Sequence, residues 1–185
     1  MYLRNGLTPV AYALPFWQNG YLMEFPLFRT GIGQDSHRFL SADSSKPCII
    51  GGVIFEDVPG LDADSDGDIV IHAICNAITS LTGVPILGGI ARELCHKGGI
   101  TDSQVYLERA LATLGKQTIV HVALTIEGKK PSFQDHIDAM RKKLASIMGL
   151  QQKQIGMTAT SGDGLTDFGC GDGLQCFCML TTVES

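Results

Sequence analysis

Asp35 and His37 form a D-x-H pair near the end of a segment that reads as a strand. Residues two apart in extended chain project to the same side, so a carboxylate and an imidazole converge there. His72 stands four residues after Asp68, one turn into a segment with helical spacing. Together Asp35, His37 and His72 offer one oxygen and two nitrogens. That donor set suits zinc or another divalent transition metal, with a fourth position left for a ligand. Any one of these histidines alone reads more readily as a surface or core residue than as a metal ligand.

The run Asp62-Ala63-Asp64-Ser65-Asp66-Gly67-Asp68 places four carboxylates in seven residues. Such a run needs its charge offset, by a divalent ion, by helix capping or by solvent. It lacks the glutamate of a calcium-binding EF-hand loop. A second candidate lies late in the chain. Ser161-Gly162-Asp163-Gly164 is followed by Gly169-Cys170-Gly171-Asp172-Gly173. Glycine-rich backbone can surround phosphate, and Asp163 can hold magnesium or manganese against it. A solvated turn between strands is the plainer reading of the same segment. No P-loop lysine follows. Lys129 and Lys130 offer cations to an anion or simply face water.

These side chains need a scaffold. Residues 28–35 read as a first strand, and Cys48 to Phe55 as a short hairpin about Gly51-Gly52. Ile71, Ile74 and Ile78 recur at helical spacing within residues 69–81, with Asp66 as the expected N-cap. A second helix is expected from Thr101, capped with Gln104. Thr118, Val120, Val122, Leu124 and Ile126 should line one side of a strand. Ser132 with Asp135 predicts a capping box before a helix bearing Ile137, Met140, Leu144 and Ile147. Strands over residues 155–160 and 174–183 complete an α/β (α+β) single domain, a sheet packed against helices.

Composition agrees with a globular domain: 44% of the 185 residues are hydrophobic, 18% are charged and the net charge is −5. That balance offers no basic footprint for nucleic acid and no electrostatic reason to bind a membrane surface. No apolar run approaches the roughly 20 residues of a membrane-spanning helix. The six cysteines are irregularly spaced, several in apolar surroundings, as in a reduced cytoplasmic protein. Residues 1–27, interrupted by Pro9, Pro15 and Pro26, read as a poorly ordered extension or as leader residues ahead of a start at Met23.

The segment Gly31-Ile32-Gly33-Gln34-Asp35-Ser36-His37-Arg38-Phe39 resembles the G-x-G-x-D-x-H-x-F opening of the 2-C-methyl-D-erythritol 2,4-cyclodiphosphate synthase family. Ile49-Ile50-Gly51-Gly52-Val53, Gly60-Leu61, Ser65-Asp66-Gly67-Asp68, His72-Ala73, Asp102-Ser103, Met140-Arg141, Ala159-Thr160 and Gly171-Asp172-Gly173 continue the resemblance in order. It implies a homotrimer with active sites between subunits. It also implies zinc at Asp35, His37 and His72, and magnesium or manganese at Asp163, where the family usually has glutamate. Ser65, Asp66, Gly67, Asp68, Thr160, Ser161 and Lys130 are then the expected substrate contacts. The implied reaction cyclises 4-diphosphocytidyl-2-C-methyl-D-erythritol 2-phosphate and releases CMP, a lyase step of non-mevalonate isoprenoid synthesis.

The chain also departs from that pattern. Asp64 stands where the family usually has histidine, Gly164 where it has lysine, and Cys170 where it has arginine. Gly88-Gly89-Ile90 replaces a G-D-I-G segment, and Asn76 replaces an aspartate. Fewer cations therefore face phosphate, and Lys129, Lys130 or Arg38 are the expected substitutes. Altered nucleotide or substrate preference, or a metal-stabilised trimeric binding protein without turnover, is the alternative these changes suggest. A metal phosphohydrolase lacks a specified pair of bridging carboxylates.

Overall fold

The computed structural model describes residues 26–184 and the backbone of two short strands, β1 (Trp17–Gln18) and β2 (Tyr21–Leu22), which pair with each other. The extension expected over residues 1–27 lies largely outside the described residues. The main sheet begins with β3 (Leu27–Arg38), longer than the strand expected at residues 28–35. A hairpin of β4 (Cys48–Ile50) and β5 (Val53–Phe55) follows. Gly51 and Gly52 both have positive φ, 59° and 73°, as a tight two-residue hairpin turn requires.

Three helices come next: α1 (Ile69–Thr82), α2 (Gly89–Gly98) and α3 (Ser103–Ala112). Then come β6 (Gln117–Glu127), α4 (Ile137–Met148), β7 (Ile155–Thr160), the one-turn α5 (Asp167–Cys170) and β8 (Gly173–Glu184). The sheet order is β3-β8-β6-β7. β8 pairs antiparallel with both neighbours, whereas β6 and β7 run parallel and are joined through α4.

The core lies between one face of this sheet and the helices. Leu174, Cys176, Cys178 and Leu180 of β8 meet the buried side of α1, and Met140 and Leu144 supply α4's contribution. The opposite sheet face leaves Ile32, Phe177 and Met179 exposed. All six cysteines are free thiols.

Four local expectations change. Asp68, not Asp66, caps α1, because its carboxylate accepts from the Val70 and Ile71 amides. Asp102, one residue beyond the expected cap Thr101, caps α3 through the Gln104 amide. His136 precedes α4 without a side-chain cap, so the Ser132–Asp135 box does not form. In β6 the pairing with β8 slips between Ile119 and His121. The extra residue reverses the alternation, so Ile119 is buried while Thr118 is exposed and Val120 half-buried. Helix α2 adds to the expected elements; glycines stand at both its ends and none of its residues is buried.

Candidate metal centre

β3 and α1 meet closely because two glycines allow it. A Cβ at Gly33 would stand 2.1 Å from the Ala73 carbonyl oxygen, and one at Gly31 would stand 2.3 Å from that of Ala77. With nothing larger in between, the end of β3 lies against the first turns of α1. Asp35 and His37 thereby reach His72.

The three ligating atoms converge. Asp35 Oδ2 lies 2.8 Å from His72 Nδ1 and 3.1 Å from His37 Nε2, and the two ring nitrogens are 3.4 Å apart. One carboxylate oxygen and two imidazole nitrogens all lie within 4.8 Å of one another. Burial acts to raise the Asp35 pKa, but hydrogen bonds and charge from His37 and His72 outweigh it. The carboxyl is therefore held well below the usual carboxylate range.

The far side of His72 fits a metal ligand. Its Nε2 lies 2.9 Å from Ser103 Oγ and 3.3 Å from Ser65 Oγ. Ser103 Oγ donates to Asp66 Oδ1, and the Ser103 amide donates to Asp66 Oδ2 at 2.9 Å. With its own proton committed to Asp66, the Ser103 oxygen accepts from Nε2–H of His72. The Nδ1 lone pair is then directed at Asp35 and His37, where the three atoms could hold an ion. Such outer hydrogen bonds fix the tautomer and raise ligand basicity. Ser103 is wholly buried. The sequence signals it only through Asp102-Ser103 at a helix start; its contact with His72 spans 31 residues of chain.

The acidic loop is largely internally satisfied. Asp68 is fully buried and accepts from the amides of Gly51 (2.9 Å), Gly52 (2.6 Å), Val70 (3.0 Å) and Ile71 (3.1 Å). Burial, with the nearby Asp66 charge adding to it, pushes its carboxyl up to about 6 against the Ile71, Gly52 and Gly51 amides. Asp68 thus joins the hairpin to α1 and does not present the ligand face expected of it. Asp66 likewise serves Ser103, while Gly67 adopts a φ of 80° and donates its amide to Ser65 Oγ. Lys46 Nζ supports the loop by donating to the Leu61 and Ala63 carbonyls, 2.8 Å each.

The metal-facing trio opens into a cavity of about 710 Å³, which also takes in Asp62, Asp64, Ser65 and the start of α2. The remaining expected site residues lie elsewhere on the chain. Thr160 ends β7, with Ser161 and Asp163 just beyond it. Pairing carries the row of Ser36 through Gln175 and Glu127 to Thr160. The two groups therefore share one end of the sheet but sit on opposite edges, three strand spacings or about 14 Å apart. Ser161 Oγ donates to Asp163 Oδ1 at 3.0 Å. Asp163 adopts φ +49°, the one positive-φ residue other than glycine among those described. Lys130 sits near the middle of that end, its ammonium 5.2 Å from the centre of the Phe39 ring.

Comparison with known proteins adds to this geometry. The YgbB family model matches residues 28–183. The 2-C-methyl-D-erythritol 2,4-cyclodiphosphate synthase of Chlamydia caviae is 60% identical over 159 residues, covering 85% of this chain and 90% of that protein. The bifunctional IspDF of Campylobacter jejuni superposes with a TM-score of 0.78 at 23% identity; 87% of this chain is covered, and the chain spans 43% of that one. The CDP complex of IspF from Plasmodium falciparum gives a TM-score of 0.73 at 21% identity, over 88% of this chain and 99% of that one. At these identities the two structures speak for the fold, a sheet of mixed direction backed by helices.

Proposed function

Because the chain belongs to the YgbB family, we propose that it converts 4-diphosphocytidyl-2-C-methyl-D-erythritol 2-phosphate into 2-C-methyl-D-erythritol 2,4-cyclodiphosphate with release of CMP. The observation that carries this reading is the convergence of Asp35, His37 and His72 at a cavity in a chain so similar to named synthases. The reaction is a phosphorus–oxygen lyase step of isoprenoid synthesis by the non-mevalonate route.

In the reaction a substrate 2-phosphate oxygen forms a bond to the β-phosphorus. The bond from that phosphorus to the bridging oxygen breaks, and the oxygen leaves with CMP. The nucleophile belongs to the substrate, so the protein's work is orientation and charge. Zinc or another divalent transition metal at Asp35, His37 and His72, and magnesium or manganese at Asp163, supply Lewis-acid charge to phosphate oxygens when bound. The Ser103–Asp66 pair keeps the His72 tautomer correct for that role. Ser65, which accepts from the Gly67 amide, borders the trio, and in this reading Thr160, Ser161 and Lys130 would meet the nucleotide side.

The functional assembly in this reading is a homotrimer. Two observations support it. The sheet face bearing Ile32, Phe177 and Met179 is open and apolar, as expected of a surface that another copy covers. The two halves of the site lie on opposite sheet edges, where a neighbour's late loop can complete the trio of the next subunit. Residues 28–185 form the synthase domain, and residues 1–27 are an extension to it. The free, mostly buried thiols favour a reducing cytoplasm, and among the described residues no helix is long and apolar enough to cross a membrane.

Phosphorus NMR of the purified protein with this substrate, with and without zinc and magnesium, tests the proposal. Cyclic diphosphate and CMP are the expected products. A linear product, or folded metal-loaded protein without turnover, would overturn it.

A further inference from the structure

The cavity at the metal-facing trio contains Asp35, Asp62 and Asp64, and Arg92 of α2 is the one lysine or arginine among the described residues lining it. A diphosphate entering such a wall meets three carboxylates. The cations expected from sequence lie elsewhere: Lys130 faces Phe39, and Arg38 pairs with Asp167 and Asp172 outside this cavity. Asp64, the acid that most needs explaining, does not face the cavity alone. Its Oδ2 lies 3.5 Å from Arg92 Nε, and its Oδ1 lies 3.8 Å from His96 Nε2, one helical turn further along α2.

Resting on the function proposed above, we propose that Arg92 is a substrate-binding residue that holds a substrate phosphate, and that Asp64 positions it. The contact to Asp64 uses the Nε edge of the guanidinium. Both terminal amino groups are left without a protein hydrogen bond among the described residues, and the side chain is 71% exposed. A planar fork with one edge turned toward a carboxylate and the other free suits bidentate contact with phosphate oxygens. The helix is short and has no fully buried residue; Ala91 and Leu94 rest partly against the core, and Arg92 is on its exposed side. Asp64 in this arrangement is the counter-charge that holds the arginine over the cavity, and its net effect on a phosphate is attractive.

The test uses zinc-loaded protein and four variants: R92A, R92K, D64A and D64E. Inorganic pyrophosphate is titrated by calorimetry, and KM and kcat are measured with the diphosphocytidyl substrate. R92A is expected to weaken pyrophosphate binding and raise KM by about tenfold or more, with zinc content unchanged. R92K should recover only part of this, because an ammonium lacks the fork. D64A should weaken binding in the same direction but less, and D64E should restore it. Unchanged pyrophosphate affinity and KM in R92A would overturn the assignment. Tighter binding in D64A would overturn the role of Asp64, showing it to be a repulsive charge. Failure of the parent protein to bind pyrophosphate would overturn the whole site. If the parent protein binds pyrophosphate but makes no cyclic product, the function above falls, and the titrations still decide Arg92.

Discussion

The metal-facing trio and the Ser161–Gly173 loop sit at the same end of one sheet yet are held in different ways. Asp35, His37 and His72 are clamped by a glycine-mediated strand–helix contact and, at His72, by the buried Ser103 with its half-buried partner Asp66. Asp163 is exposed, in left-handed backbone, and held chiefly by its neighbour Ser161. The first region is preorganised by packing within the chain, whereas the second has few fixed partners among the described residues. Loss of function should therefore coincide with loss of structure or metal in the first region and be separable from both in the second.

The largest effect should come from H72A. It removes a ligand whose partners lie on both sides, so bound zinc should fall to background and turnover by about 10³-fold, the several kcal/mol a metal's charge contributes. Elemental analysis beside the product assay checks this. Normal zinc content would sink the ligand assignment. G33A comes next. Its Cβ would collide with the Ala73 carbonyl and the Ala77 amide, both backbone, so β3 and α1 must separate. A loss of about 3 kcal/mol in denaturant unfolding is expected, with weakened metal binding. A stable G33A protein with full zinc would show that close packing is not what positions Asp35.

S103A should be milder and more selective. Zinc affinity should fall about 10- to 100-fold, the usual cost of losing a partner of a metal-binding histidine. In the metal-free protein, nitrogen NMR of His72 should shift from one dominant tautomer to a mixture. An unchanged tautomer would mean that Ser65 alone fixes the ring.

The same contrast explains what is legible in the chain. The D-x-H pair and His72 report on strand and helix periodicity, which are local, so the trio can be picked out from residue spacing alone. The cap of α1 lies two residues from its expected position because Asp66 and Asp68 are both good caps. Only the hairpin amides of Gly51 and Gly52, distant in sequence, select Asp68. The slip in β6 is hidden because Val120 and Ile119 are both β-branched and apolar. Helix α2 has only a short apolar stripe, Ile90, Ala91 and Leu94, between glycines, and none of its residues is fully buried, so little marks it or draws notice to Arg92. The open apolar sheet face is equally silent, since a strand read alone does not say which of its sides has a helix over it.

The smallest stability effects, and the sharpest test of the comparison, belong to Asp163. Left-handed backbone costs an ordinary residue about 1–2 kcal/mol, and aspartate less because its side chain bonds locally. D163A loses that bond and keeps the penalty, so about 1 kcal/mol of destabilisation is expected. D163G escapes the penalty but adds freedom to the unfolded chain, and the two should nearly cancel, leaving stability within about 0.5 kcal/mol. Neither change touches the trio, so zinc content should stay at the parental value in both. Magnesium-dependent turnover should nevertheless collapse equally in both, because each lacks the carboxylate. Denaturant curves, zinc analysis and turnover against magnesium concentration separate the outcomes. If activity follows the stability order, with D163G active and D163A impaired, Asp163 shapes the loop and does not bind an ion. If both lose turnover while their stabilities differ, the carboxylate itself is the working part.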